Sequence, residues 1–328
     1  MQIITEDLIF MPRRKSIDYR LLLKVSKLYY EKEYTQQQIS ERLNLSRSKV
    51  SRLLQQALTT GVVKINIIPQ LGVYTDLEDA LEAKYGLKET IVVGVSEPNS
   101  QIAVSREVGA AAAGYFYRSM NSPCIIGISW GTTLRAMVDA IPAIDCHDSQ
   151  VVQLVGGLGI PESEAHATYI LRRLVAQTTS KLSVLPAPGI VDNAKVKKAF
   201  LSDSHVQEVF NLFQKISVAY VGIGAPILDS IVMRDGSIIT KKELDILKAK
   251  GAVGDICMRY FNADGQAILS EVDDRVIGIS LEDLKKIDRV VGVTGGPEKS
   301  LAIRAALKGK IINVLITDHL SAKRVLQE

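Results

Sequence analysis

Residues 35–56 read TQQQISERLNLSRSKVSRLLQQ, two apolar repeats separated by a short break. Ile39 and Leu43 stand four apart, as on one helix face, and Val50 with Leu53 or Leu54 renews the spacing after the break. The break, Asn44-Leu45-Ser46, holds a residue that tolerates a left-handed conformation, an apolar plug and a serine suited to cap a helix. Small Ser40 falls where two such helices cross and a bulky side chain would hold them apart. The pattern predicts a helix-turn-helix. Its second helix, opened by Ser46, offers Arg47, Ser48, Lys49, Ser51 and Arg52, all donors suited to phosphates or base edges of double-stranded DNA. An αα-hairpin inside a helical domain explains the apolar spacing as well. It does not explain the cap, the small crossing residue and the basic second helix together.

Outward from this stretch, Leu21, Leu22, Val25 and Leu28 predict a helix over Asp18 to Glu31 that completes a three-helix core. Beyond Leu58, Thr59-Thr60-Gly61 ends the second helix with Gly61 at C′, and Val62–Ile68 is β-rich. Pro69-Gln70-Leu71-Gly72 breaks the pattern. A helix from Tyr74 to Tyr85, with Leu77 and Leu81 on one face, then pairs subunits or caps the next domain; both roles stand open. The expected organisation is a flexible segment 1–15, a helix-turn-helix domain 16–68, a linker with a connector helix 69–89, and an effector-binding domain 90–328. Translation from Met1 or from Met11 is open.

Charge separates the ends. Residues 11–60 carry eleven Lys or Arg against four acids, whereas the net charge of the whole chain is +4. A basic head on a near-neutral body suits DNA contacts at one end. At 328 residues two domains are expected. No apolar run reaches the length of a membrane span, and the basic residues near the N-terminus follow the apolar patch, the wrong order for a signal peptide. Cys124, Cys146 and Cys257 are scattered and odd in number, which favours a reducing cytoplasm without a disulfide framework. Cys146-His147-Asp148 reads as loop, since adjacent residues rarely converge on one ion. No metal and no cofactor is expected.

From residue 90 the chain alternates strand, loop and helix. Strands are predicted at Thr90–Val95, Cys124–Ser129, Gln150–Val155, Leu182–Pro186, Val218–Ile223, Asp255–Phe261, Arg289–Val293 and Ile311–Thr317. Helices fall at Ile102–Met120, Thr133–Ala140, Ser163–Thr178, Asn193–Phe200, Lys242–Lys250, Glu298–Lys308 and His319–Leu326. Near-continuous apolar strands alternating with helices predict an α/β, doubly wound, mainly parallel sheet behind the helical head.

In such a sheet ligands sit beyond the carboxyl ends of the strands. Ser129-Trp130-Gly131-Thr132-Thr133 opens a helix with a glycine and two hydroxyls, a suitable anion site; an N-cap with a tight turn is the plainer account. Gly156-Gly157-Leu158-Gly159 and Gly222-Ile223-Gly224-Ala225-Pro226 follow two further strands, and turns recruit glycine for geometry alone. Neither completes a dinucleotide fingerprint. Gly295-Gly296-Pro297-Glu298-Lys299-Ser300 places Pro297 in a first helical turn and brings Lys299 within reach of a phosphate or sugar hydroxyl. Asp255 either accepts two sugar hydroxyls or bonds its own backbone in a turn.

In this order the motifs resemble those of the SorC family of bacterial sugar-responsive transcription regulators. The resemblance runs from about Tyr19 to Leu326. It is carried by the helix-turn-helix and by GISWGTT (127–133), QLVGGLG (153–159), LPAPGIV (185–191), YVGIGAP (220–226), KGAVGDI (250–256), GGPEK (295–299) and NVLITD (313–318). It implies a DNA-binding domain joined to an effector domain related to sugar-phosphate isomerases, a phosphorylated sugar as effector, and a homotetramer built as a dimer of dimers. By the motif matches, Gly131, Thr132 and Thr133 hold the phosphate. Asp255, the backbone of Cys257 and Lys299 contact the sugar, with Gly156, Gly157 and Gly224 in the neighbouring loops. Tyr30 and Gln37 join the DNA-contacting residues from flanking helices. Trp130, where relatives also carry smaller residues, narrows the pocket or roofs it.

The alternative is a sugar-phosphate isomerase or deaminase carrying a DNA-binding domain. That chemistry wants an acid and a base in the pocket. No histidine falls in a glycine loop, and only His166 lies just past one, so an enzyme is not expected.

Overall fold

The computed structural model describes residues 18–65, 73–120, 123–157, 161–227 and 238–327, with the side chains of 161–166 excepted. The chain divides into two compact units, one ending at Ile68 and one beginning at Pro69.

The first unit holds α1 (Tyr19–Ser26), continued by a π-helical turn at Lys27–Glu31, then α2 (Gln36–Leu43) and α3 (Arg47–Thr59). Val25, Ile39, Val50 and Leu54, one or two from each helix, form its core, with Leu28, Leu43, Leu45 and Leu53 packed around them. Thr35 and Gln38 form a reciprocal capping box at the start of α2. Asn44 ends it at φ 51°, and Ser46 accepts the Lys49 N–H at 3.3 Å to start α3. The Ser40 hydroxyl donates to the Leu45 carbonyl, so the small residue also ties the turn. Gly61 has φ 74° as a C′ residue requires. Residues 62–65 are not a strand, and 66–68 lie outside the described residues.

The second unit contains α4 (Thr75–Tyr85), β1 (Glu89–Val93), α5 (Gln101–Ser119), β2 (Ile125–Ile128), α6 (Thr132–Ala140), β3 (Gln150–Gln153), α7 (Pro161–Thr178) and β4 (Lys181–Ser183). It continues through α8 (Ala194–Leu201), α9 (Ser204–Phe213), β5 (Val218–Val221), α10 (Lys241–Ala249), β6 (Gly254–Ile256), β7 (Arg259–Phe261), α11 (Leu281–Lys285), β8 (Arg289–Val293), α12 (Ser300–Lys308), β9 (Val314–Asp318) and α13 (His319–Gln327). Seven strands form one sheet in the order β1-β9-β8-β5-β2-β3-β4, every pair parallel. Alternate residues serve opposite faces. Ile126, Ile128, Tyr220, Val291 and Ile316 pack with α5, α6 and α7, whereas Val152, Leu154, Ala219, Val221 and Leu315 pack with the other core. Burial on both faces is why the strands read as unbroken apolar runs. Helix α4 packs on this unit, Leu81 buried, while Glu82 and Glu78 accept the N–H groups of Thr90 and Val92 on strand β1.

The run Asp255–Phe261 is not one strand. It is a hairpin of β6 and β7, turned back at Cys257 and Met258, whose φ values of 54° and 60° suit a two-residue loop of matching twist. The helix expected at Glu298–Lys308 begins as a 3₁₀ turn at Pro297–Lys299 before α12. Helices α9 and α11 went unforeseen; Asp203 and Ser280 cap them. Among the described residues no helix is long and apolar enough to cross a membrane.

Candidate nucleic-acid interface and effector site

On α3, 100° per residue places Arg47, Ser48, Ser51, Arg52 and Gln55 on one arc of about 140°, and Val50, Leu54 and Ala57 on a separate arc of about 60°. The first set is exposed and the second buried. Lys49 is exposed beside that arc, and Tyr30 and Gln37 are exposed on their own helices. Gln37 donates to Glu41 at 2.8 Å, and Arg52 Nε lies 3.4 Å from the Ser48 carbonyl. Ser46 is already engaged: its hydroxyl caps α3 and shares a hydrogen bond with Ser48. Arg47, Lys49 and Arg52 thus present three cations to solvent from one helix.

In the second unit the chain adds β3 and β4 on one side of β2 and later adds β5, β8 and β9 on the other. The reversal falls between β2 and β5, and it is in the crevice beyond the carboxyl ends of such strands that open parallel sheets bind ligands. Gly131 enters α6 at φ 144°, a conformation that favours glycine, with open space where a Cβ would be. No side chain caps this helix, so its first turn offers N–H groups and a positive dipole end to solvent. Thr132 is exposed. Thr133 is buried, its hydroxyl 3.3 Å from Ser105.

Across the crevice, the hairpin β6–β7 is bound to the loop after β5 by paired backbone hydrogen bonds between Gly224 and Asp255, 2.9 and 3.1 Å. A Cβ at 224 would stand 2.0 Å from the Asp255 carboxylate. Burial pushes the Asp255 carboxyl up to about 6, partly offset by the Met258 N–H and the Lys299 ammonium. Burial lowers Lys299, and the facing Asp255 opposes that shift. Burial also drives the Cys257 thiol up to about 12, leaving it protonated. A half-buried carboxylate facing a half-buried ammonium suits hydrogen bonds to hydroxyls.

Three of the expected effector contacts have other duties. The N–H of Gly156 donates to Ile277, that of Gly157 to Ala187 and that of Gly224 to Asp255. None is left to donate to a ligand. A Cβ at 156 would lie 2.3 Å from the Ala187 carbonyl oxygen, so this glycine admits a backbone crossing. Trp130 packs into the cores on both sheet faces. The side chain of His166 lies outside the described residues.

Four residues near the site had no role of their own assigned from sequence, although Ser129 and Asp318 stand inside the GISWGTT and NVLITD motifs. Ser129 accepts the Gly222 N–H at 3.2 Å, tying the loop after β2 to the loop after β5. Buried Asp318 accepts the Gly296 N–H at 2.8 Å and so fixes the Gly295-Gly296 turn. Gln101 and Ser105 reach both turns from α5. Their only signal is polar residues one turn apart at the start of a helix that follows a strand.

A family profile described as "Putative sugar-binding domain" matches residues 71–327, and one described as "Sigma-70, region 4" matches residues 24–60. The chain is 33% identical over 309 residues to the deoxyribonucleoside regulator of Bacillus subtilis, covering 94% of this chain and 98% of that protein. It is 30% identical to the sorbitol operon regulator of Klebsiella pneumoniae, covering 95% and 99%. The crystal structure of the full-length Klebsiella pneumoniae sorbitol operon regulator superposes with a TM-score of 0.72 at 29% identity, over 94% of this chain and 99% of that one. A DeoR family transcriptional regulator from Listeria monocytogenes gives 0.70 at 30% identity, over 76% and 98%.

Proposed function

The chain belongs to the SorC family of sugar-responsive transcriptional regulators, and from that premise we propose that a phosphorylated sugar or polyol sets its affinity for operator DNA. It is a DNA-binding regulator and not an enzyme. The single observation that supports a phosphate is the uncapped start of α6, where Gly131, Thr132 and Thr133 face a crevice at the sheet's reversal point. Asp255, Lys299 and the backbone at Cys257 meet the sugar's hydroxyls. The relatives are named for deoxyribonucleosides and for a sorbitol operon, and phosphate esters of such compounds carry both an anion and hydroxyls.

The head reads the operator through Arg47, Ser48, Lys49, Ser51 and Arg52, with Tyr30 and Gln37 beside them. Two heads of a homo-oligomer, a dimer of dimers in this proposal, must match the spacing of two half-sites. An effector that alters their placement by a small amount then changes operator affinity through a coupling of about 1–3 kcal/mol. The protein acts in the cytoplasm, where its operator is.

Fluorescence anisotropy on labelled operator, titrated with pentose, hexose and polyol phosphates, tests the proposal. One ester should shift operator affinity by about fivefold or more, as such couplings do. A panel that leaves it unmoved refutes the effector claim. Turnover of an ester by the purified protein would refute the assignment as a regulator alone.

A further inference from the structure

Gln101, the first residue of α5, bridges the two sides of the proposed effector site. Its Nε2 donates to the Gly295 carbonyl at 3.3 Å and to the Ser105 hydroxyl at 3.2 Å. Ser105, one turn further on, lies 3.3 Å from the Thr133 hydroxyl and 3.5 Å from that of Thr132. Two side chains on one helix face thereby tie the Gly131–Thr133 turn to the Gly295–Gly296 turn.

The orientation of the amide follows from its partners. A backbone carbonyl only accepts, so nitrogen must face Gly295, and Oε1 is the end that accepts. Gly296, at φ 110°, makes room for it: a Cβ there would stand 2.4 Å from Oε1. Ser105 is buried, whereas Gln101 is exposed at the rim of the crevice. A neutral acceptor at that place suits a hydroxyl, which has a proton to give, and not an ionised phosphate oxygen, which has none.

We propose that Gln101 determines effector specificity, its amide oxygen accepting a hydrogen bond from a hydroxyl of the sugar or polyol while its nitrogen holds the two turns in register. This rests on the reading of the crevice as a phosphosugar site, and the experiment separates the two. Calorimetric titration of the full-length wild type, Gln101→Ala and Gln101→Glu would use inorganic phosphate and a panel of pentose, hexose and polyol monophosphates.

In Gln101→Ala the best ester of the panel should bind about tenfold more weakly, while inorganic phosphate weakens by clearly less and operator binding without effector stays at the wild-type value. Gln101→Glu keeps an acceptor but loses the donor to Gly295 and adds a negative charge, so ester and phosphate should both weaken. Undiminished ester binding by Gln101→Ala overturns the proposal. Equal loss of ester and phosphate also overturns it, because the amide would then only shape the phosphate turn. A wild type that binds phosphate but no ester removes the phosphosugar reading and this inference with it.

Discussion

In the head, the groups proposed to face DNA lie mostly on one helix, α3, and stand in solvent. In the second unit, the groups proposed to meet the effector come from α5, the turns after β2, β5 and β8, and the hairpin β6–β7, and most are hemmed in by backbone. The difference follows from the partners. A DNA duplex is large and external, so a convex basic face supported by a handful of buried aliphatic side chains is sufficient. A small metabolite must be surrounded, which takes a sheet that delivers several loops to one place. Substitutions in the head should therefore change recognition with modest effects on the remainder, whereas some in the crevice should cost stability first.

The largest expected effect tests that last point. In Gly156→Ala the new Cβ meets the Ala187 carbonyl oxygen at 2.3 Å and the Pro188 carbonyl carbon at 2.7 Å, both backbone atoms that cannot swing aside. Thermal or urea unfolding should show a loss of about 3 kcal/mol. Wild-type stability with lost effector response would mean that Gly156 serves the ligand directly and would erase the contrast between packing glycines and ligand glycines.

The next pair asks whether reading and sensing separate. Arg47→Ala should cost operator affinity about 1–3 kcal/mol and leave effector binding intact. The double change Thr132→Ala, Thr133→Ala should do the reverse, abolishing the effector response while the operator is still bound, both measured by anisotropy. Operator binding lost in the second variant would mean that the units are not separable in function.

Acidity sharpens the comparison further. The Asp255 carboxyl, pushed up to about 6 by burial, accepts two hydroxyls at full strength only when ionised. Effector affinity should thus fall as pH drops through about 6, approaching tenfold per unit. The ester's own second ionisation lies near the same pH, so Asp255→Asn is the control: it should bind weakly and with a shallower pH dependence. The stability sign is opposite. A carboxyl whose folded pKa is raised contributes stability that is full below its unfolded value of 3.8 and is lost as pH rises through about 6. At pH 7.5 the variant should melt no lower than the wild type.

The same contrast governs how much was legible in the sequence. The helix-turn-helix depends on contacts between residues three to eleven apart, so Ile39, Ser40, Asn44, Ser46 and Val50 announced it together. The parallel sheet was legible because two-sided burial writes itself as apolar runs, and β8 was found to the residue. What failed depends on distant partners. Nothing near Gly156 reveals that residues 187 and 188 cross it, and nothing near Gln101 reveals Gly295, 194 positions away. The hairpin was missed because its turn uses Cys257 and Met258, not glycine or asparagine, at positive φ.

Ser46 carries the smallest effect and the finest division between fold and recognition. Its position at the start of α3 fits a DNA contact, yet its hydroxyl already accepts the Lys49 N–H and meets Ser48 at 3.1 Å. Ser46→Ala should lower the stability of the head by about 1 kcal/mol, the usual worth of an N-cap, and change operator affinity little at temperatures where the head stays folded. Ser46→Asp restores a capping oxygen and adds a charge favourable to the helix dipole but repelled by phosphate. That variant should recover the melting temperature and lose operator affinity. An alanine variant that melts normally but binds DNA weakly would move Ser46 from the cap to the reading face, and the head's division of labour would have to be redrawn around it.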